Sequence, residues 1–319
     1  MKKPRKRNQC KRISGSLAAL LVLVVVGCKP QAAASVTARV SETAGINPTL
    51  TPTRTVTPLP APTEPPATPA PTLMPTEIAD SQGIVMRLIP AGPFTMGSDD
   101  GMPDEKPAHR IDLPAFYMDK YEVTNSRYKD CVDAERCPLP VNNNLKFHYG
   151  TFGTYGVPEF VNFPVNWVDW NSAKTYCEWR GARLPTEAEW EKAARGTDER
   201  KYPWGEVIDP TIANYGSNLP DAYDGALGKT SAVGSYAKGR SPYGIYDMAG
   251  NVWEWVTDWY DVYPGGDQNA NSAFGQQAYR VLRGGSWSDD PDLLRTTFRG
   301  GNRPEMVANY IGIRCASTP

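Results

Sequence analysis

Histidine is nearly absent from this chain. His109 and His148 are the only two in 319 residues, so an iron site of two histidines and one carboxylate would consume both. His109 lies in DEKPAHRIDLPAFYMDKYEVT and reads as structural, while His148 falls in the irregular stretch NNNLKFHYGTFGTYG. Charge of one sign is also missing. The net charge is −1, and from residue 82 onward 24 basic residues face 31 acidic ones, which excludes the basic footprint of a nucleic-acid binder. The six cysteines contain no Cys-x-x-Cys pair, which argues against a four-cysteine zinc site. No aromatic residue occurs in 29–81. No apolar run reaches the roughly 20 residues that span a bilayer.

The N-terminus has an export pattern instead. Residues 1–12, MKKPRKRNQCKR, hold seven basic residues and no acid, and the apolar run ISGSLAALLVLVVVG follows over 13–27. Basic, then apolar, then small residues mark a signal segment; a single-span anchor is the alternative. Val25-Val26-Gly27-Cys28 resembles a bacterial lipobox, which implies cleavage before Cys28 and a lipid on its thiol. Residues 1–28 therefore read as a lipoprotein signal peptide, and the membrane as a partner through that anchor. Residues 29–81 hold 11 Pro and 11 Thr. Such a segment cannot bury enough apolar surface to offset its ordering entropy, so it reads as an extended, disordered tether. All 33 aromatic residues lie in 82–319, a segment long enough for one substantial core.

That domain keeps Cys131, Cys137, Cys177 and Cys315. Four cysteines in an exported domain suggest two disulfides, with three possible pairings. Cys131 and Cys137 enclose only VDAER, which favours a local bridge and leaves Cys177 with Cys315.

Short apolar segments broken by Pro and Gly in IVMRLIPAGPFTMGS, residues 84–98, predict strands and tight turns. Thr124 is placed to cap a helix through TNSRYKDCVDA. A second helix follows Asp169; Ala173, Tyr176, Cys177 and Arg180 share one face, and Gly181 supplies the stop. In LPTEAEWEKAARG, Thr186 and Glu189 form a capping-box pattern and Gly196 ends the helix. Beyond it the chain turns rich in Gly, Asn and Asp, and regular structure should be sparse. Trp167, Trp170, Trp179 and Trp190 belong to nine tryptophans that read as packing residues, with a ligand-stacking role for one or two as the alternative.

Seven segments occur in register: IPAGPFTMGS, DKYEVTNSRY, PVNWVDWNSAKTYCEWRGARLPTEAEWEKAARG, YPWG, YGIYDMAGNVWEWVTDWY, RVLRGGSW and GIRCAS. Together they resemble the formylglycine-generating enzyme, or sulfatase-modifying factor, family across nearly all of 84–317. The resemblance implies an α+β, C-type-lectin-like fold with little regular secondary structure. It also implies the pairing of Cys177 with Cys315. Family members include oxidases that convert a sulfatase cysteine to formylglycine, enzymes of ergothioneine synthesis, and binding modules.

Two stretches, residues 213–226 and 246–254, are rich in the oxygen donors that suit Ca²⁺, although turn chemistry accounts for the same residues. Carrying the family's calcium positions across gives Asn214 and Asp224 side chains with Tyr215 and Ala226 carbonyls at one site. The second site takes Asp247 and Glu254 with Gly250 and Val252 carbonyls; Asp247 stands where well-known members have asparagine. Calcium is the expected cofactor. Copper is not. The family's oxidases hold Cu(I) with two cysteines just after the Gly-Gly-Ser-aromatic segment, and here that loop is SDDPDLL, shorter and without cysteine. Carboxylates are hard donors and replace thiolates poorly.

The cleft candidates are Ser286, Trp287, Asp289, Asp290 and Arg295. Ser286 lacks a nucleophile-elbow setting. Asp289, Asp290 and Asp292 read as paired acids or as a solvated, cation-binding surface; Arg295 and Arg299 either pair with them or shape a groove, and both fit a structural role as well. The expectation is a surface-tethered binding or accessory module, exported and lipid-anchored, with a protein, peptide or glycan ligand. An oxidase with an atypical site is the alternative.

Overall fold

A computed structural model describes residues 74–141, 154–216, 230–272 and 275–319. Cys28, the Thr/Pro tether up to residue 73, His148, Asp224 and Ala226 lie outside the described residues. Everything described falls within one compact unit, Pro69–Pro319.

The described residues form three small sheets. The first runs β1–β2–β5–β10, from Glu77–Ala79, Val85–Ile89, Phe116–Asp119 and Ala316–Ser317. Its register sets Ala316 opposite Met118 and Met86 opposite Asp119, so the C-terminus pairs with strands near the start of the domain. A hairpin of β3 (Gly92–Met96) and β4 (His109–Leu113) forms the second. The third runs β8–β7–β6–β9, from Gly300–Asn302, Arg280–Arg283, Trp253–Trp259 and Ile311–Gly312. Its β6–β9 edge is parallel.

The three α-helices among the described residues begin where the capping residues place them. In α1 (Asn125–Asp133) Thr124 Oγ1 accepts from Arg127 N, and in α2 (Trp170–Trp179) Asp169 accepts from Ser172 N. In α3 (Glu187–Arg195) Thr186 and Glu189 close a capping box, and Gly196 ends the helix at φ +75°. Those side chains supply the partners that a first helical turn cannot find within itself.

Packing around α3 departs from an ordinary amphipathic helix. Glu187, Glu191, Lys192 and Arg195 are buried alongside Trp190, Ala193 and Ala194. A buried charge is tolerated only when paired, and nearly all of these are. Arg283 reaches Glu191 at 2.6 Å, and Arg299 reaches Glu187 at 2.7 Å. Glu254 is gripped by Arg314 at 2.7 Å, and Asp119 by Arg180. Arg283 also donates to the carbonyls of Thr296, Thr297 and Phe298. A chain with little helix or sheet leaves many carbonyls without ladder partners, and buried guanidiniums with several donors each satisfy them.

Candidate functional site

The segment after β7 turns sharply. Gly284 and Gly285 take φ of +97° and +71°, and a Cβ on Gly284 would lie 3.1 Å from the Trp190 ring. The turn carries Ser286 inward until it is fully buried. Its hydroxyl donates to Asp289 Oδ2 at 2.6 Å, its N–H reaches the same oxygen at 2.8 Å, and Trp253 Nε1 adds a third donor at 2.8 Å. Asp289 is therefore the acceptor that fixes this loop. Ser286 already gives its proton to that carboxylate and is shielded from solvent, which does not suit a nucleophile. Trp287 is buried against the same strip; its N–H donates to Asn251 O, and its indole lies 3.4 Å from Asn309 O.

The remaining candidates separate from this cluster. Asp290 is exposed at the start of the short turn Pro291–Leu294. Arg295 forms no ion pair with the aspartates; its Nε donates to Asp292 O at 3.0 Å, and it grips buried Glu105 with two bonds of 2.6 and 2.7 Å. Arg299 is likewise committed to Glu187. Of the alternatives for these arginines, pairing with Asp289, Asp290 and Asp292 does not form, and the structural role does. Each guanidinium instead neutralises a buried glutamate, which gains more than a solvated aspartate would. The groove-lining alternative also holds: Arg295 borders a cavity of about 730 Å³ with Arg195, Lys201, Asp292 and Phe298, and Arg299 borders a second of about 520 Å³.

Both disulfides are formed, Cys131–Cys137 and Cys177–Cys315. The second ties α2 to β10 beside the Asp119 carboxylate, which accepts from Cys315 N at 2.9 Å.

The two oxygen-rich stretches meet. Asn251 N donates to Asn214 O at 2.9 Å, and Asn214 Nδ2 donates to Asn251 Oδ1 at 3.2 Å. Gly250 makes the approach possible, because a Cβ there would lie 2.2 Å from Asn214 O and φ is +85°. Tyr215 is buried next to Asn214. Around Asp247 and Glu254 the structure adds a residue that the sequence reading missed. Glu122 is buried and accepts from Asn251 Nδ2 and Val252 N. Its place in DKYEVTNSRY, ahead of a capped helix, offered no sign of this; the link is long-range.

Burial, reinforced by the charges of Asp247 and Glu254, pushes the Glu122 carboxyl well above the usual range. Burial raises Asp247 to about 6. Three buried carboxyls thus face one guanidinium, that of Arg314, which is committed to Glu254.

A model of the sulfatase-modifying factor enzyme 1-like domain matches residues 72–319. The chain belongs to this family. Serine/threonine-protein kinase pkn1 of Chlamydia pneumoniae is 40% identical over 244 residues, covering 72% of this chain but 37% of that protein. The chain thus spans little more than a third of that relative, and the kinase activity in its name is not carried over. Inactive C-alpha-formylglycine-generating enzyme 2 of Bos taurus is 32% identical over 290 residues, covering 76% of this chain and 90% of the relative. Among solved structures, PvdO from Pseudomonas aeruginosa superposes with a TM-score of 0.60 at 29% identity, over 76% of this chain and 98% of that one.

The family's two metals fare differently against these residues. Copper does not fit. The loop after Trp287 has no cysteine, and the four cysteines of the domain are joined in disulfides. Calcium fits by charge, since Glu122, Asp247 and Glu254 exceed their guanidinium and a divalent cation would balance them. Among the described residues no three His, Cys, Asp or Glu side chains form a ready ligand set, so backbone carbonyls would have to contribute. Glu254 already receives Arg314 and Trp190 on its oxygens. Asp247 is the freer ligand of the two.

Proposed function

We propose that this member of the sulfatase-modifying factor family is a surface-tethered binding or accessory module rather than a copper oxidase. The observation that carries the proposal is the loop at 286–289. The oxidases hold a soft thiolate pair just beyond this point. Here a carboxylate locked by Ser286 and Trp253 occupies the loop, and soft-metal oxygen chemistry has no ligands to start from. The bovine relative named inactive, which aligns over 90% of its length, is consistent with that reading.

The module would be exported and held by a lipid on Cys28, with residues 29–81 as the tether and a protein, peptide or glycan as ligand. Two disulfides in the domain support an oxidising compartment. Calcium would stabilise the loops at 213–226 and 246–254, with Asn214, Asp224 and Asp247 as its principal side-chain ligands.

The decisive experiment is incubation of the full chain with a Cys-x-Pro-x-Arg sulfatase peptide, copper and oxygen, followed by mass spectrometry. We expect the peptide to keep its cysteine; an aldehyde product would restore the oxidase alternative. Labelling of cells with a fatty-acid analogue checks the anchor, because Cys28→Ser should abolish incorporation.

A further inference from the structure

The β3–β4 hairpin is a sheet of two strands among the described residues, and its two outer edges differ. Pro93 faces Asp112 in the register and has no N–H to give. That pair is therefore of the non-hydrogen-bonded kind, and the alternation of an antiparallel ladder makes Thr95 and Arg110 the next such pair. The free N–H and C=O groups of these residues point away from the hairpin. On β3 the outer edge is closed by α3. Arg195 donates to the carbonyls of Thr95 and Gly97 at 3.1 and 2.8 Å, and Glu191 accepts from Gly97 N. On β4 the edge is open. The outward N–H and C=O of Arg110 and Asp112 have no backbone partner among the described residues. Both residues are exposed, and neither side chain forms an ion pair there.

We propose that this open edge pairs antiparallel with the same edge of a second copy of this chain, about a two-fold axis at Ile111. Pairing about that residue sets Arg110 opposite Asp112 twice, at the two hydrogen-bonded positions, and Ile111 opposite Ile111. Charged residues ordinarily guard an edge strand against a second one. Here the two outward residues carry opposite signs and sit two positions apart, so the order Arg-Ile-Asp is its own antiparallel complement. Each cross-strand contact between charges becomes an attraction. Such an interface is isologous and closes at two copies, because the pairing consumes both open edges.

The two faces of the hairpin match across the seam as well. His109, Ile111 and Leu113 share the inner face with buried Phe94 and Met96, while Pro93, Thr95, Arg110 and Asp112 lie on the outer one. The joined sheet thus keeps one apolar side and one polar side. Ile111 also borders the cavity of about 520 Å³ whose walls include Trp259, Val262 and Pro264. That apolar surface lies beside the seam, where Ile111 of the second copy would cover part of it.

The test is sedimentation equilibrium of the full chain over a concentration series reaching the high micromolar range. We expect a reversible dimer, weak because an edge seam buries little surface. Arg110→Asp and Asp112→Arg should each weaken self-association by at least about tenfold, since each sets like charges against one another at both contacts. Mixed in equal amounts, the two variants should associate as the unmodified chain does, because a seam between one of each again opposes an acid to a base at both contacts. That recovery separates pairing between copies from any effect within one chain. Hydrogen exchange on the unmodified chain gives a second reading, which decides if a variant does not fold: the amides of Arg110 and Asp112 should exchange more slowly as concentration rises. An unmodified chain that stays monomeric throughout, a mixture that associates no better than its components, or exchange at these two amides that ignores concentration would each overturn the proposal.

Discussion

Removing the Cys177–Cys315 disulfide should damage this domain far more than removing Cys131–Cys137. The bridges span 138 and 6 positions of sequence. Crosslinking restricts the unfolded chain in proportion to the logarithm of the loop it closes, which gives about 5 kcal/mol for the long loop and about 2 kcal/mol for the short one. Burial widens the gap, because Cys177 and Cys315 are both at 0% exposure while Cys137 retains 7%, so Cys→Ala leaves a less relaxable void at the long bridge. A domain of ordinary stability has about 5–15 kcal/mol in total; the long bridge is thus a large fraction of it. The assay is urea unfolding of Cys177→Ala/Cys315→Ala beside Cys131→Ala/Cys137→Ala. With a slope near 3 kcal/mol per molar urea, the midpoints should fall by about 1.7 M and about 0.7 M respectively. Equal shifts, or a larger one for the short loop, would show that chain entropy is not what the long bridge contributes.

Calcium should raise the melting temperature of the full chain relative to chelator, by about 2.7 kcal/mol of added stability at a hundredfold excess over Kd, and Asp247→Ala should reduce the response; superimposable melts would count against the metal. Arg283→Met should cost about 3 kcal/mol, because it leaves Glu191 Oε2 and the carbonyls of Thr296, Thr297 and Phe298 without that donor, while Glu191 Oε1 keeps Gly97 N and Arg195; a midpoint within about 1 kcal/mol of wild type, converted by the urea slope, would contradict this. Asp258 is raised in the folded state from 3.8 to about 6. The folded chain thus holds this proton more tightly than the unfolded one. The cost of ionising it is absent below about pH 4, complete above about pH 6, and of order 2–3 kcal/mol. Stability from this group therefore falls as pH rises through that window, and Asp258→Asn should flatten that part of the profile while stabilising the domain at neutral pH. Melts from pH 4 to 8 that coincide in shape for both proteins would refute it.

Much of the architecture could be read along the chain because its causes are local. Thr124, Asp169 and the Thr186–Glu189 box satisfy backbone donors within three residues of themselves, so the helix starts are written in short strings. The five-residue spacer between Cys131 and Cys137 made one bridge evident and, by subtraction, the other. The missing thiols after Trp287 needed no coordinates either.

Charge partners were different. Arg295 could pair with the nearby aspartates, shape a groove or serve structure, and only the fold shows that it holds Glu105, 190 positions away. Glu122 joined Asp247 and Glu254 across more than a hundred residues. A capping bond is decided by which atoms the next turn brings near, and sequence order specifies that. A buried ion pair is decided by which groups share a desolvated space after three separate sheets have packed, and nothing in the order of residues fixes that distance before the fold exists.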